Sequence, residues 1–367
     1  MTIGTIDITE KNLKIIYNDD KDYKNLWSSF LKNYKQYSYK YVLDVIDYYL
    51  LISNESLNKS FLVKSNDEII AICPLILEKV KTSWQASIYN GKDYIPLALL
   101  SKKLTPRQKS NVEKILFMEI KKNLKKLKAK KAFFQADSIS LEHNEIFDTF
   151  LDKEQALDIS TFNHIVNLTL TEEELWKQIR KSSKSIINKG LEIFDFKVFD
   201  NTNFYDELGE LHQKMHHELA GKITRPIKSF KKMSDWVKRG CAIFIKQSYK
   251  KKIAQLAFVA IGGKSAAHAS VVENLNINPP VPMTHSLNFF IYKEVKRRGV
   301  DYYDVGLTAY RSSLFYNLSK KEININHFKR GFGNRSFPLR LWIWFEDRNE
   351  EIQFIKEKFK QYEKNKD

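Results

Sequence analysis

Cysteine is nearly absent: only Cys73 and Cys241 occur in 367 residues, far apart and each inside an apolar, strand-like run. Such a pair gives neither a disulfide framework nor the close spacing of a zinc site, and reads as two reduced core thiols. Long apolar runs are missing too. No uninterrupted stretch reaches the ~20 residues that cross a bilayer, and the first 17 residues lack the basic start and apolar core of a secretory signal. The expected location is therefore cytoplasmic, with at most a peripheral contact at the inner face of the membrane. No Ser/His/Asp or Cys/His set has an interpretable spacing, which leaves covalent catalysis unsupported. His212, His216 and His217 cluster in sequence, but there is no His-Glu-x-x-His order and no third ligand, so no metal is expected. Glycine is scarce, at 12 residues, and a pair one residue apart occurs at Gly331 and Gly333.

What is present is apolar bulk and positive charge. Hydrophobic residues make up 43% of the chain, with 24 Phe and 18 Tyr, enough to bury more than one core. At 367 residues the chain suits two domains, since one domain commonly takes ~100 to 200. Lys and Arg number 61 against 44 Asp and Glu, a formal charge of +17. That excess favours polyanionic partners such as nucleic acid, phosphorylated substrates or an anionic membrane surface. Lysine as the default solvated residue of this chain accounts for the charge equally well, so charge alone does not choose.

Along the chain, residues 21–35 and 39–51 have helical periodicity, and 61–64 and 69–77 read as two strands of a hairpin. Thr105-Pro106 opens a helix whose apolar face holds Val112, Leu116, Ile120 and Leu124 and whose other face holds Lys114, Lys121, Lys122, Lys125 and Lys126. Such a face is usually just solvated; docking of a tRNA arm or lipid headgroups is the functional alternative. Residues 131–136 predict a strand and 141–157 a helix. From Thr161 the pattern begins again. Residues 162–170 predict a strand, Thr171 and Glu174 a capping box, and 175–190 a helix without a single acid. A histidine-rich helix and the loop 220–226 follow, then a meander over 241–247, 253–261 and 266–272, and a helix over 284–298 ending at Gly299. The two halves share an order of elements but no evident identity.

The decisive stretch comes next. A short strand, Asp301-Tyr302-Tyr303-Asp304-Val305-Gly306, leads through a loop containing Tyr310 and Arg311 to His327-Phe328-Lys329-Arg330-Gly331-Phe332-Gly333 and a run of strand formers, 337–345. A lysine beside glycines, which let backbone approach a ligand closely, has the chemistry of an anion clamp. The order helix, glycine stop, strand with Asp-x-Gly, loop, Phe-Lys-x-Gly-x-Gly resembles the C-terminal half of the FemAB-like transferases, which attach acyl or aminoacyl groups to amines of cell-envelope precursors. The resemblance covers about residues 161–345.

It implies an α/β (α+β) fold of two tandem GNAT-like domains with mixed central sheets flanked by helices. The expected boundaries are 1–160 for a divergent N-terminal domain, 161–345 for the acyltransferase domain and 346–367 for a closing helix. The resemblance also implies that Lys329, with Phe328, steadies the oxyanion or a phosphate, and that Asp304 orients the amine. Arg180 and Lys184, one turn apart on the basic helix, would face substrate phosphates. Arg225 would pair with a carboxylate or phosphate, and His216, His217 and Glu218 would be proton acceptors; which group is the general base stays open. Tyr310, Arg311, Gly331 and Gly333 complete the expected substrate site. No bound cofactor is expected; the acyl donor is a co-substrate, acyl-CoA or aminoacyl-tRNA. The glycine pair begins with Phe where CoA-binding GNAT loops carry Arg or Gln, and leads into a strand, which argues against ordinary CoA binding. The long helical hairpin common in tRNA-dependent relatives is also absent, so both donors stay open. The expected acceptor is a small-molecule or lipid-linked amine, such as a sugar nucleotide, a lipid-linked saccharide or a peptidoglycan peptide. The alternatives are a tRNA-dependent peptidoglycan aminoacyltransferase proper and a non-catalytic RNA- or membrane-binding module.

Overall fold

A computed structural model describes residues 12–137, 139, 150–309, 314–316, 318–333 and 336–364. The chain divides into two compact units, one of residues 1–161, 310–317 and 338–367, the other of residues 162–309 and 318–337. Among the described residues no helix is long and apolar enough to cross a membrane.

The first unit holds two sheets. In one, Leu13–Tyr17, Phe61–Ser65, Glu68–Cys73 and Leu99–Leu100 lie side by side. In the other, Leu157–Asp158, Leu341–Phe345, Lys131–Gln135, Ser83–Ala86, Ile76–Val80 and Ser56–Asn58 follow in that order. The helix Tyr23–Tyr34 buries Tyr23, Trp27, Phe30, Leu31 and Tyr34, one stripe at helical spacing. Pro106–Lys126 begins with a Thr105/Gln108 capping box and proline in its first turn, as its sequence predicts. Two expectations change. The strand read as residues 69–77 is two strands in different sheets, Glu68–Cys73 and Ile76–Val80, because Pro74 interrupts the ladder. The run 337–345 is likewise two strands, and the second, Leu341–Phe345, pairs antiparallel with Lys131–Gln135 instead of closing the second domain. Leu341 through Trp344 are buried without interruption, and such a strand needs neighbours on both edges; the first unit supplies them. Most of the helix expected over 141–157 lies outside the described residues.

The second unit is built on one seven-stranded sheet in the order Phe194–Phe199, Ala242–Tyr249, Lys252–Gly262, Ser265–Glu273, Tyr302–Thr308, Thr161–Asn167, Ser336–Leu339. Its meander follows the predicted one closely. The basic stretch is two helices, Glu172–Gln178 and Lys181–Ile193, since Ile179 and Arg180 take extended ψ values of 135° and 136°. Ser265–Glu273 and Tyr302–Thr308 run parallel, joined by the helix Met283–Arg297 as a crossover. They pair only from Ser265 opposite Tyr302 to Ala267 opposite Asp304. Just beyond, each strand carries a register shift against its other neighbour: Ala269 is the extra residue opposite Phe258 and Val259, and Val305 the extra residue opposite His164 and Ile165. Bulges twist and bend the strands that hold them. The two parallel strands part there.

The crossover helix is held by a core that includes Ile187, Leu287, Ile291, Val295, Tyr303 and Phe332. Helix Lys181–Ile193 approaches it so closely that a Cβ on Gly190 would lie 2.5 Å from Ser286 Oγ. Gly190→Val should therefore destabilise the protein by roughly 1 to 3 kcal/mol, an overpacking cost at a helix contact. Urea denaturation checks it, and Ser286→Ala in the same chain should recover part of the loss.

Candidate functional site

Where the parallel strands part, a cavity of 720 Å³ opens. His268 and Val305 line it from the two bulged strands, Thr284 and Asn288 from the crossover helix, and Lys320, Lys321, Asn324, Ile325, Phe328 and Lys329 from the helix Lys320–Lys329. This last helix starts in a Ser319/Glu322 capping box and runs directly into a tight turn over Arg330–Phe332.

Lys329 is half-buried, and its Nζ donates to the carbonyl of Leu307 at 3.0 Å. It lies over Gly306, where a Cβ would come within 2.9 Å of Nζ and where φ is +101°, so glycine is required on both counts. Burial pulls the Lys329 pKa below its ordinary value, and the carboxylate of Asp304 opposes that. Asp304 sits inside the strand Tyr302–Thr308. It accepts hydrogen bonds from Gly306 N at 2.7 Å and Asn163 Nδ2 at 2.9 Å, so it fixes the bulge beneath the lysine. Phe328 turns inward, its ring against His285 at 4.8 Å and Phe332 at 4.9 Å, which anchors the helix end that carries Lys329.

Arg180 belongs to the same assembly. Its backbone N–H donates to Gly331 O at 2.9 Å, and its guanidinium donates to His327 Nε2 at 2.6 Å and His327 O at 3.2 Å. A cation thus closes the carbonyl end of the clamp helix, where the helix dipole favours it. Gly331 makes that docking feasible: a Cβ there would stand 3.3 Å from Ser183 Oγ and 3.7 Å from Arg180 Cζ. The two-glycine stretch is a close-approach surface more than a left-handed bend. Gly333 faces His164, whose Nε2 would be 3.5 Å from an added Cβ. Lys184 lies over the Trp176 ring at 5.6 Å.

The other expected residues gather elsewhere in the unit. Arg225 stacks on Phe230 at 4.3 Å, the His216 and His217 rings pack on the same phenylalanine, and His216 Nδ1 is 3.2 Å from Thr224 Oγ1. His217 and Glu218 line a second cavity, of 760 Å³, between the helices Asp206–Ala220 and Ile227–Lys238. None of these four lines the cavity over Lys329. Tyr310 and Arg311 lie outside the described residues. Among the described residues no three His, Cys, Asp or Glu side chains are grouped to hold a metal ion.

Sequence reasoning missed His268, Asn288 and His164. Each sits in a strand or helix segment beside apolar residues, with no motif around it, and only the bulges and the crossover bring them to Lys329. His268 and His164 are both pushed down to about 4, by burial first and then by the positive charge of Lys329. His212, buried with its Nε2 3.1 Å from Ser270 Oγ, is pushed down to about 3, chiefly by burial.

No protein-family model and no curated protein matches the chain. Solved structures do. A crystal structure of FemX superposes with a TM-score of 0.65 at 12% identity, covering 93% of this chain and all of that one. The C-terminal domain assigned to a lysylphosphatidylglycerol synthetase from Agrobacterium fabrum gives 0.59 at 12% identity, over 90% and 94% of the two chains. A tandem GNAT protein from the clavulanic acid biosynthesis pathway gives 0.51 at 11% identity, over 90% and 98%. The fold is a tandem GNAT fold of the FemAB-like kind. In this GNAT-like second unit the parting of the parallel strands, the crossover helix and the lysine-bearing helix form one cavity.

Because the folded-state pKa values of His164, His212 and His268 lie below that of a free histidine, protonation favours the unfolded chain. Stability from these groups is complete above about pH 6.5 and is lost as the pH falls toward 4. Urea midpoints measured across that range should fall, and the His212→Phe variant should show a shallower slope than the parent.

Proposed function

We propose that this protein transfers an acyl or aminoacyl group to an amine of a cell-envelope precursor by direct aminolysis in the cavity over Lys329. The observation that carries the reading is the parting of the parallel strands beside a half-buried lysine: it leaves strand backbone unpaired where an acyl carrier could lie and places a cation at its end. The name of one structural neighbour, a lysylphosphatidylglycerol synthetase, supports aminoacyl transfer to an envelope component, although the acceptor named there is a hydroxyl.

In the proposed step the amine nitrogen attacks the carbonyl carbon of the donor ester or thioester. Its electron pair forms the C–N bond while the C=O electrons move onto oxygen. Lys329 donates to that oxyanion, with its remaining N–H groups beyond the one held by Leu307. When the oxyanion collapses, the bond to the donor oxygen or sulfur breaks and the carrier leaves. The nitrogen's surplus proton passes to His268, whose imidazole is held neutral by its lowered pKa, and from there to the departing alkoxide or thiolate. Asp304 acts through Gly306 and Lys329 as a positioning residue. Arg180 likewise holds the end of the clamp helix, and phosphate binding falls to the exposed Lys320 and Lys321 at the mouth.

Either acyl-CoA or aminoacyl-tRNA serves this chemistry. The exposed basic face of Pro106–Lys126, with Lys114, Lys125 and Lys126 outward, favours the RNA-borne donor. Comparing envelope precursors by mass spectrometry from cells with and without the protein should reveal an added acyl or aminoacyl mass. Lys329→Ala should keep the fold by circular dichroism and lower transfer at least about 100-fold. His268→Ala should lower it by roughly 10- to 100-fold. Full turnover by Lys329→Ala would end the proposal, and salt-sensitive RNA binding that survives the substitution without any turnover would favour a binding module.

A further inference from the structure

Among the described residues of the second unit, some of the most exposed large apolar side chains stand with positive charge at one turn. Between the helices Asp206–Ala220 and Ile227–Lys238 the chain turns through Gly221, whose left-handed φ of +64° ends the first helix. Ile223 is 74% exposed and Ile227 63%, among the most exposed large apolar side chains of the protein, and Leu219 is 39% exposed. Residues 219–234 contain Lys222, Arg225, Lys228, Lys231 and Lys232 and no acid. Lys222, Lys228 and Lys231 are themselves exposed.

An aqueous role leaves the apolar half of this arrangement unexplained. Branched aliphatic side chains at a helix-turn-helix tip gain nothing from water, and RNA, which is read by charge and by aromatic stacking, gives no use for two projecting isoleucines. Aliphatic side chains ringed by lysines fit the interface of an anionic bilayer, where the isoleucines enter the acyl boundary and the lysines meet phosphate groups. We infer that the turn at residues 219–228 is a membrane-docking tip that holds the protein reversibly on anionic lipid. The tip adjoins the second cavity, which Ile227, Phe230 and Lys231 help to line. Docking would thus bring that second cavity to the lipid surface. The inference stands on exposure and charge and does not require the transfer chemistry.

The test uses the full chain and two vesicle preparations, equimolar phosphatidylcholine and phosphatidylglycerol, and phosphatidylcholine alone. Co-sedimentation should show binding to the first and not the second, weakened by added salt. Ile223→Asp combined with Ile227→Asp should reduce binding about tenfold or more, and Lys222→Glu and Lys228→Glu roughly fivefold or more each. All four positions are exposed, so thermal unfolding should stay at the parent value. A bimane attached to the Ile223→Cys variant in a Cys241→Ser background should shift to the blue on binding, as a probe entering an apolar layer does. Three results would overturn the inference: undiminished vesicle binding by the double isoleucine variant, a probe spectrum that does not move, or retention by RNA with none by anionic vesicles. None of them touches Lys329, whose role is read separately from turnover.

Discussion

The constraint on which this molecule's functional unit depends is the parallel pairing of Ser265–Glu273 with Tyr302–Thr308. Parallel neighbours need a crossover, and the helix Met283–Arg297 that provides it is packed into the unit's core through Leu287, Ile291 and Val295. The pairing is brief, and bulges at Ala269 and Val305 take over where it stops. Had the two strands stayed paired to their ends, the site over Lys329 would have been closed by ordinary sheet.

Several interactions that look catalytic in sequence serve this constraint. Asp304 holds Gly306 and Asn163, Phe328 plugs into His285 and Phe332, and Arg180 clasps His327 and Gly331. Together they position the Lys329 ammonium over a glycine that leaves room for it. A buried polar group must be paired or change its protonation state. Lys329 is paired with a carbonyl and stands beside a carboxylate, while the neighbouring histidines stay neutral. The inner part of the site therefore sets the Lys329 cation beside neutral imidazoles, with Lys320 and Lys321 further out along the same helix.

Legibility in the sequence followed how local each signal is. The Thr105 and Thr171 helix starts depend on residues within one turn, and their capping boxes form. The meander was legible from its three closely spaced apolar runs. Lys329, Phe328, Gly331 and Arg180 were legible as a group because the order of elements resembles a known family, although the group's internal division of labour was not. The break at Ile179 and Arg180 was hidden because apolar periodicity continues across it. The fate of Leu341–Phe345 was hidden because strand formers specify extension and burial but name no partner.

Sequence by itself determined most element types, the scarcity of cysteine, the basic balance of the chain and the lysine-glycine stretch near the end, since each depends on residue identity or on spacing within a few turns. Tertiary structure alone decided that His268 and Asn288 share a cavity with Lys329, that Asp304 is a brace, and that His216, His217, Glu218 and Arg225 form a separate group around Phe230. The physical reason is that a crossover and two single-residue bulges set those juxtapositions. A one-residue change of register re-aims every side chain beyond it, and no local pattern records it.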